Sequence, residues 1–262
     1  MNFEFKEKYK MSDLIEIIDI LRSPNGCPWD KEQTHKSIRS NFIEETYEVI
    51  EAIDADNIDL LKEELGDVLL QVVFHSKMEE ELGNFNFDDV ADGICQKLII
   101  RHPHVFSNLK VNSSDEVLNN WDKIKMKTKS QNKQSEAMKS ISKALPVIMR
   151  SKKVQQKASK IGLDFKSENV AMEKIFEGYN ELLKAINDKS FNNCFEAIGN
   201  LLFSIVSVSR ILKIDPEHAL SDSCNKFIET FERVEKTIEN KGLDISGLSE
   251  QELGLIWKKS KE

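Results

Sequence analysis

The sequence predicts an all-α protein built as two tandem helical bundles, and three observations carry that expectation. Apolar residues recur at helical spacing along most of the chain, convincing alternating strand runs are scarce, and one apolar pattern returns 133 residues later. The first helix is expected over 41–53, because Phe42, Thr46, Val49, Ile50 and Ile53 fall on one side at about 100° per residue. The second, over 58–82, is apolar on nearly every face, with Leu60, Leu61, Leu65, Val68, Leu69 and Val73 spread around it. A helix of that kind is expected to be buried. A third, over 88–100, places Val90, Ile94 and Leu98 at four-residue steps and stops before Pro103. Further on, Asp215 and Pro216 read as N-cap and first helical residue of a helix that continues over 219–238. Antiparallel bundle packing is the expected arrangement.

The repeat explains the length. Adding 133 carries Glu48 to Glu181, Val49 to Leu182, Ile50 to Leu183 and Ile53 to Ile186 in the first helix. In the second it carries Leu65 to Ile198, Gly66 to Gly199, Leu69 to Leu202 and Val73 to Val206. Apolar positions stay in register, so both halves are expected to fold alike. The stretch 125–135 is polar and aperiodic, the composition of an exposed linker, and sets the expected domains at 1–134 and 135–262.

The chemistry sits on the first two helices. Glu45 and Glu48, answered by Glu64 and Asp67, place four carboxylates at one-turn spacing on consecutive helices. Either pair alone is ordinary on a solvated face, and Glu44, Glu51 and Glu63 read as such surface charges. Glu64, Asp67 and Gln71, however, form a polar stripe through an apolar helix, where an unpaired charge costs several kcal/mol. Oxygen-only ligands favour Mg²⁺ or Mn²⁺ over zinc. A di-iron centre would want Glu-x-x-His, and neither carboxylate-bearing helix has one. In the second copy Glu45 becomes Gly178, Glu64 becomes Ala197 and Asp67 becomes Asn200, so that half is expected to keep the fold and lose the metal.

Composition narrows the class. With 40% hydrophobic and 31% charged residues the chain reads as a globular protein, and a net charge of −8 argues against a nucleic acid polymer as partner. No membrane span is expected, since the apolar run 68–74 is broken by Gln71. The N-terminal residues lack a signal-type apolar core, so the expected location is cytoplasmic. Cys27, Cys95, Cys194 and Cys224 read as reduced and mostly packed thiols.

Several segments together resemble the MazG family of nucleoside triphosphate pyrophosphohydrolases. They are Gly26-Cys27-Pro28-Trp29-Asp30-Lys31-Glu32-Gln33-Thr34, Glu44-Glu45-x-x-Glu48, Glu63-Glu64-Leu65-Gly66-Asp67, Arg101-His102-Pro103-His104-Val105-Phe106, and Trp121 with Lys125. The resemblance implies an all-α homodimer that uses Mg²⁺ to hydrolyse a nucleoside triphosphate to the monophosphate and pyrophosphate. It implies metal ligands at Glu45, Glu48, Glu64 and Asp67; hydrolysis also needs a base to orient the water, and one of these or Glu44 is expected to polarise it. It also implies phosphate contacts at Lys31, Arg101 and Lys125. Trp29 is expected either to stack on a base or to anchor its turn, His102 and His104 to shape a helix end, and His75 to hydrogen-bond within the core. Two departures stand out: Ile100 replaces a second arginine before His-Pro-His, and Thr230 replaces an arginine after Lys226, although Trp257 and Lys261 match. The activity is therefore assigned to the N-terminal repeat. The competing expectations are a base-restricted relative acting on dUTP, dCTP or phosphoribosyl-ATP, and a non-catalytic dimerisation scaffold.

Overall fold

The computed structural model describes residues 3–128 and 133–261, and no strand occurs among them. Two compact units divide it, Met1–Lys125 and Met126–Glu262. The first contains α1 (Met11–Arg22), α2 (Pro28–Glu32), α3 (Arg39–Asp54), α4 (Ile58–Glu81), α5 (Phe87–Arg101), α6 (Pro103–Phe106) and most of α7 (Ser114–Thr128). The second contains α8 (Gln134–Lys139), α9 (Val147–Ser159), α10 (Glu168–Asn187), α11 (Phe191–Ile211), α12 (Pro216–Asn240), a 3₁₀ turn at Ile245–Gly247, and α13 (Glu250–Ser260).

Each unit is organised around an antiparallel hairpin, α3 with α4 and α10 with α11. The 133-residue offset holds down to the turn between them. Asp54 and Asn187 end the first helices, Asp56 and Lys189 adopt left-handed φ of 49° and 50°, and Asn57 and Ser190 cap the second helices. The N–H of Asn57 reaches the Ala52 carbonyl at 3.0 Å and that of Ser190 the Ala185 carbonyl at 3.1 Å, satisfying matching orphan carbonyls. Both alanines are buried.

In the first unit α1 lies on the C-terminal half of α4, where Ile18, Ile38, Val73, Phe74 and Met78 form the core. Arg22, at the end of α1, ties three elements together. Its guanidinium makes a two-pronged bond to Glu81 at 2.8 and 2.7 Å, donates to the Asp30 carbonyl, and stacks on Phe74 at 5.1 Å. The turn into α2 demands glycine, since a Cβ on Gly26 would stand 2.2 Å from the Leu21 carbonyl oxygen. In the second unit Val234, Ile238 and Ile256 join α12 to α13.

Four expectations are corrected. Only the second half of α4 is buried; Leu65 and Leu69 stand 51% and 38% exposed, because α1 covers just the C-terminal turns. Residues 125–128 of the expected linker continue α7, while 129–132 lie outside the described residues. Cys95 and Cys224 are exposed, although all four cysteines are reduced. Finally, α11 is long and apolar enough to cross a membrane by length and composition, where no such segment was expected.

Candidate metal centre

The hairpin of the first unit brings the two carboxylate pairs together. Oxygens of Glu45 and Glu48 on α3 and Glu64 on α4 all lie within 4.8 Å of one another, and each of the three residues is half-buried. Glu48 stands in hydrogen-bonding contact with both Glu45 and Glu64. Asp67, one turn beyond Glu64, falls outside this closest trio but acts on both Glu45 and Glu64 through its charge.

The cluster is electrostatically uncomfortable without a cation. Burial first, then the shared hydrogen bond with Glu48 and the charges of Asp67, Glu48 and Glu64, raise the Glu45 carboxyl above its ordinary 4.5. Burial first, then Glu48 and Asp67, raise Glu64 likewise. Hard oxygen donors that close are chemically suited to a divalent cation, which relieves the repulsion and keeps them ionised. The sign for stability follows from the raised values. Each group ionises more readily in the unfolded chain, so without cation its contribution is fully present below the ordinary glutamate value and is lost as pH rises through the raised one. In chelator, Glu45→Gln is expected to melt a few degrees higher than the unaltered chain at pH 7, with the difference vanishing near pH 4. A calorimetric melt that shows no pH-dependent gap between them would contradict this.

Other expected site residues are more dispersed. Glu44 faces solvent, outside the trio. Trp29 sits in α2 at 58% exposure rather than anchoring its turn, and Lys31 Nζ donates to the Pro24 carbonyl at 2.8 Å. Arg101 lies over the face of Trp121 at 5.2 Å, with Lys125 one turn further along α7. Among the described residues, neither Lys31 nor Arg101 forms an ion pair with the four carboxylates. His102 caps α5, its Nδ1 2.7 Å from the Leu98 carbonyl, as a helix-end residue should be.

A histidine relay escaped sequence reasoning. Asn84 donates to Glu79, the other Glu79 oxygen meets His35 Nε2 at 2.6 Å, and His35 Nδ1 meets His75 Nδ1 at 2.6 Å. His35, His75 and Glu79 line a cavity of about 440 Å³ with Phe42 and Val72, and Phe42 precedes Glu45 by one turn of α3. Burial, then the His35 charge, lowers the His75 pKa. His75 could be found from its place after Gln71 on the polar stripe, whereas His35, forty residues away, carries no local signal.

The equivalent place in the second unit is closed. Gly178 stands where Glu45 would, and a Cβ on it would meet Leu201 of the facing helix at 3.4 to 3.7 Å; Ala197, at the Glu64 position, is buried. Those distances are ordinary contact, so Gly178→Ala is expected to stabilise the chain by about 0.5–1 kcal/mol through helix propensity. Chemical denaturation measures it, and a loss of stability would show that the hairpin tolerates no methyl there.

Comparison with known proteins agrees with this geometry. The family model described as the MazG nucleotide pyrophosphohydrolase domain matches residues 33–106, a span that includes both carboxylate pairs. A Thermotoga maritima protein named nucleoside triphosphate pyrophosphohydrolase/pyrophosphatase MazG is 43% identical over 249 residues, covering 95% of this chain and 94% of its own. The chain belongs to the MazG family. An Escherichia coli K12 relative named nucleoside triphosphate pyrophosphohydrolase is 38% identical over 95% of both chains. The Bacillus subtilis protein YabN is 40% identical over 97% of this MazG chain but only 52% of its own length. Likeness to the first two relatives therefore extends through both units.

Proposed function

We propose that this MazG-family chain is a Mg²⁺-dependent nucleoside triphosphate pyrophosphohydrolase, releasing the monophosphate and pyrophosphate, with its chemistry in the first repeat. The convergence of Glu45, Glu48 and Glu64 within 4.8 Å carries the reading, and the names of its full-length relatives supply the reaction. Glu45, Glu48, Glu64 and Asp67 would hold the cation. Bound there, it supplies positive charge to the phosphate oxygens. A carboxylate of the cluster, or Glu44 beside it, orients the attacking water, and Lys31, Arg101 and Lys125 neutralise the triphosphate as pyrophosphate leaves. Trp29, exposed on α2, is placed to meet a ligand rather than the core.

The same proposal includes a homodimer. Ile43, Ile50, Ile53, Ile58, Leu65 and Leu69 are exposed on the first hairpin, and their counterparts 133 residues later, Phe176, Leu183, Ile186, Phe191, Ile198 and Leu202, are exposed on the second. Apolar faces of this extent on paired helices are suited to burial against another hairpin in a four-helix arrangement. This also accounts for the apolar character of α11 without a membrane.

The test is pyrophosphate release from a panel of ribo- and deoxynucleoside triphosphates, with Mg²⁺ and then with chelator. Turnover that requires Mg²⁺ is expected, and its absence across the panel would reject the enzyme.

A further inference from the structure

The charge of the chain is divided unequally. Met126–Glu262 carries 23 lysines and arginines against 19 aspartates and glutamates, a net of +4, whereas Met1–Lys125 carries 14 against 26, a net of −12. The overall −8 conceals a basic second unit.

Four of these cations converge at one place. A cavity of about 370 Å³ between α12 and α13 is lined by Arg233, Lys236, Lys241 and Lys259, with hydroxyls of Thr237 and Ser260, over Ile256. Among the described residues no carboxylate lines it. Glu232, Glu235 and Glu239 lie roughly 100 to 160° around α12 from Arg233, and Glu229 lies one turn before it. Some cations elsewhere in the unit are paired, Lys152 with Asp215, Lys174 with Glu177, Arg210 with Asp164 and Lys226 with Asp222. Lys236, Lys241 and Lys259 are in no ion pair among the described residues. Like charges gathered around one cavity without a counter-charge are unfavourable, and an anion relieves them.

One of the four is already held in place. Arg233 Nε donates to the Ser260 carbonyl at 2.8 Å and an Nη donates to Thr230 Oγ1 at 3.1 Å, which fixes the guanidinium at the α12 and α13 junction and leaves other N–H groups for a ligand. The cavity is separate from the positions that match the family pattern in this half. Lys226 is bound to Asp222, and Trp257 packs on Phe227 at 4.7 Å with Lys261 above it at 5.7 Å; none of these lines the cavity.

We infer that this cavity is a metal-independent site for a di- or triphosphate group. Four cations and two hydroxyls match the three to four charges of such a group, and a single phosphate would leave most of them unanswered. The volume is that of a small-ligand pocket. A nucleotide and free pyrophosphate share this chemistry, and the experiment separates them. The inference does not depend on where catalysis resides.

Calorimetric titration of the full chain in EDTA, with pyrophosphate, orthophosphate and a nucleoside triphosphate, tests it. Binding of the condensed phosphates is expected, weakened by salt and stronger than orthophosphate. Lys236→Gln with Lys241→Gln, both exposed positions, is expected to weaken it about tenfold or more, while Lys236→Arg retains it. A triphosphate bound more tightly than pyrophosphate identifies a nucleotide site, and the reverse order a pyrophosphate site. Glu48→Gln should leave this binding unchanged, so failure of the catalytic reading registers separately. No binding up to about 1 mM, equal binding by the double variant, or binding of a mixed oligonucleotide without pyrophosphate overturns the inference.

Discussion

Glu48→Gln is expected to lose pyrophosphate release by at least about a hundredfold at saturating Mg²⁺. Glu48 is the member of the trio that contacts both Glu45 across one turn of α3 and Glu64 on α4, so removing its charge weakens the grip from both helices. The amide nearly matches the carboxylate in shape, which separates the loss of a ligand from the loss of fold. A thermal melt gives the second readout: Mg²⁺ at a hundred times its Kd should stabilise the unaltered chain by about 2.7 kcal/mol, and that rise should shrink or disappear in the variant. Glu51→Gln, an exposed charge one turn along α3, should leave turnover and the Mg²⁺-dependent rise intact. Turnover by Glu48→Gln at the rate of the unaltered chain would remove the basis of the metal assignment.

Ile198→Glu combined with Leu202→Glu is expected to convert the proposed homodimer to single chains of 30.1 kDa. Both residues are exposed on α11, 47% and 55%, one turn apart on the apolar face, so in an isolated chain neither substitution creates a buried charge. Buried against another hairpin, each carboxylate costs several kcal/mol of desolvation, and twofold symmetry doubles the count. Light scattering on a sizing column reads the mass directly. A single-chain mass for the unaltered protein at micromolar concentration, or a dimer that survives both substitutions, would discard the proposed interface. Solubility supplies a further contrast, because the double variant should aggregate less if the face is otherwise uncovered.

The fold was largely legible because its signals are local. The periodicity of 41–53 and 58–82 anticipated α3 and α4 to within a few residues, and Asp215 with Pro216 marked the start of α12, where the Asp215 side chain accepts from two backbone N–H groups. The 133-residue repeat proved exact in the two hairpin turns, since helix length, cap and turn are all written within a few residues of each other. Burial was less legible. Leu65 and Leu69 read as core residues from an all-round apolar pattern, but which face of a helix is covered depends on what lies against it. The same limit applies to α11, whose composition by itself does not distinguish a packed helix from a membrane span.

The site divides along similar lines. Four carboxylates at helical spacing were visible as a group because two turns of each helix suffice to align them. Their separation was not, and neither was the closer grouping of Glu45, Glu48 and Glu64 relative to Asp67. His35 stayed hidden because its partners, His75 and Glu79, lie forty and forty-four residues away and are brought to it by the docking of the segment before α3 on α4.

The sequence alone determined the helices, their turns, the doubling of the hairpin, and the loss of acidic residues from the second copy, since each depends on residues a few positions apart. Tertiary structure decided which carboxylate oxygens meet, which apolar faces remain open, and that Gly178 packs beside Leu201 of the facing helix where the first hairpin holds its acids. Those outcomes depend on distances of a few ångströms between segments remote in the chain, which spacing along a helix does not encode.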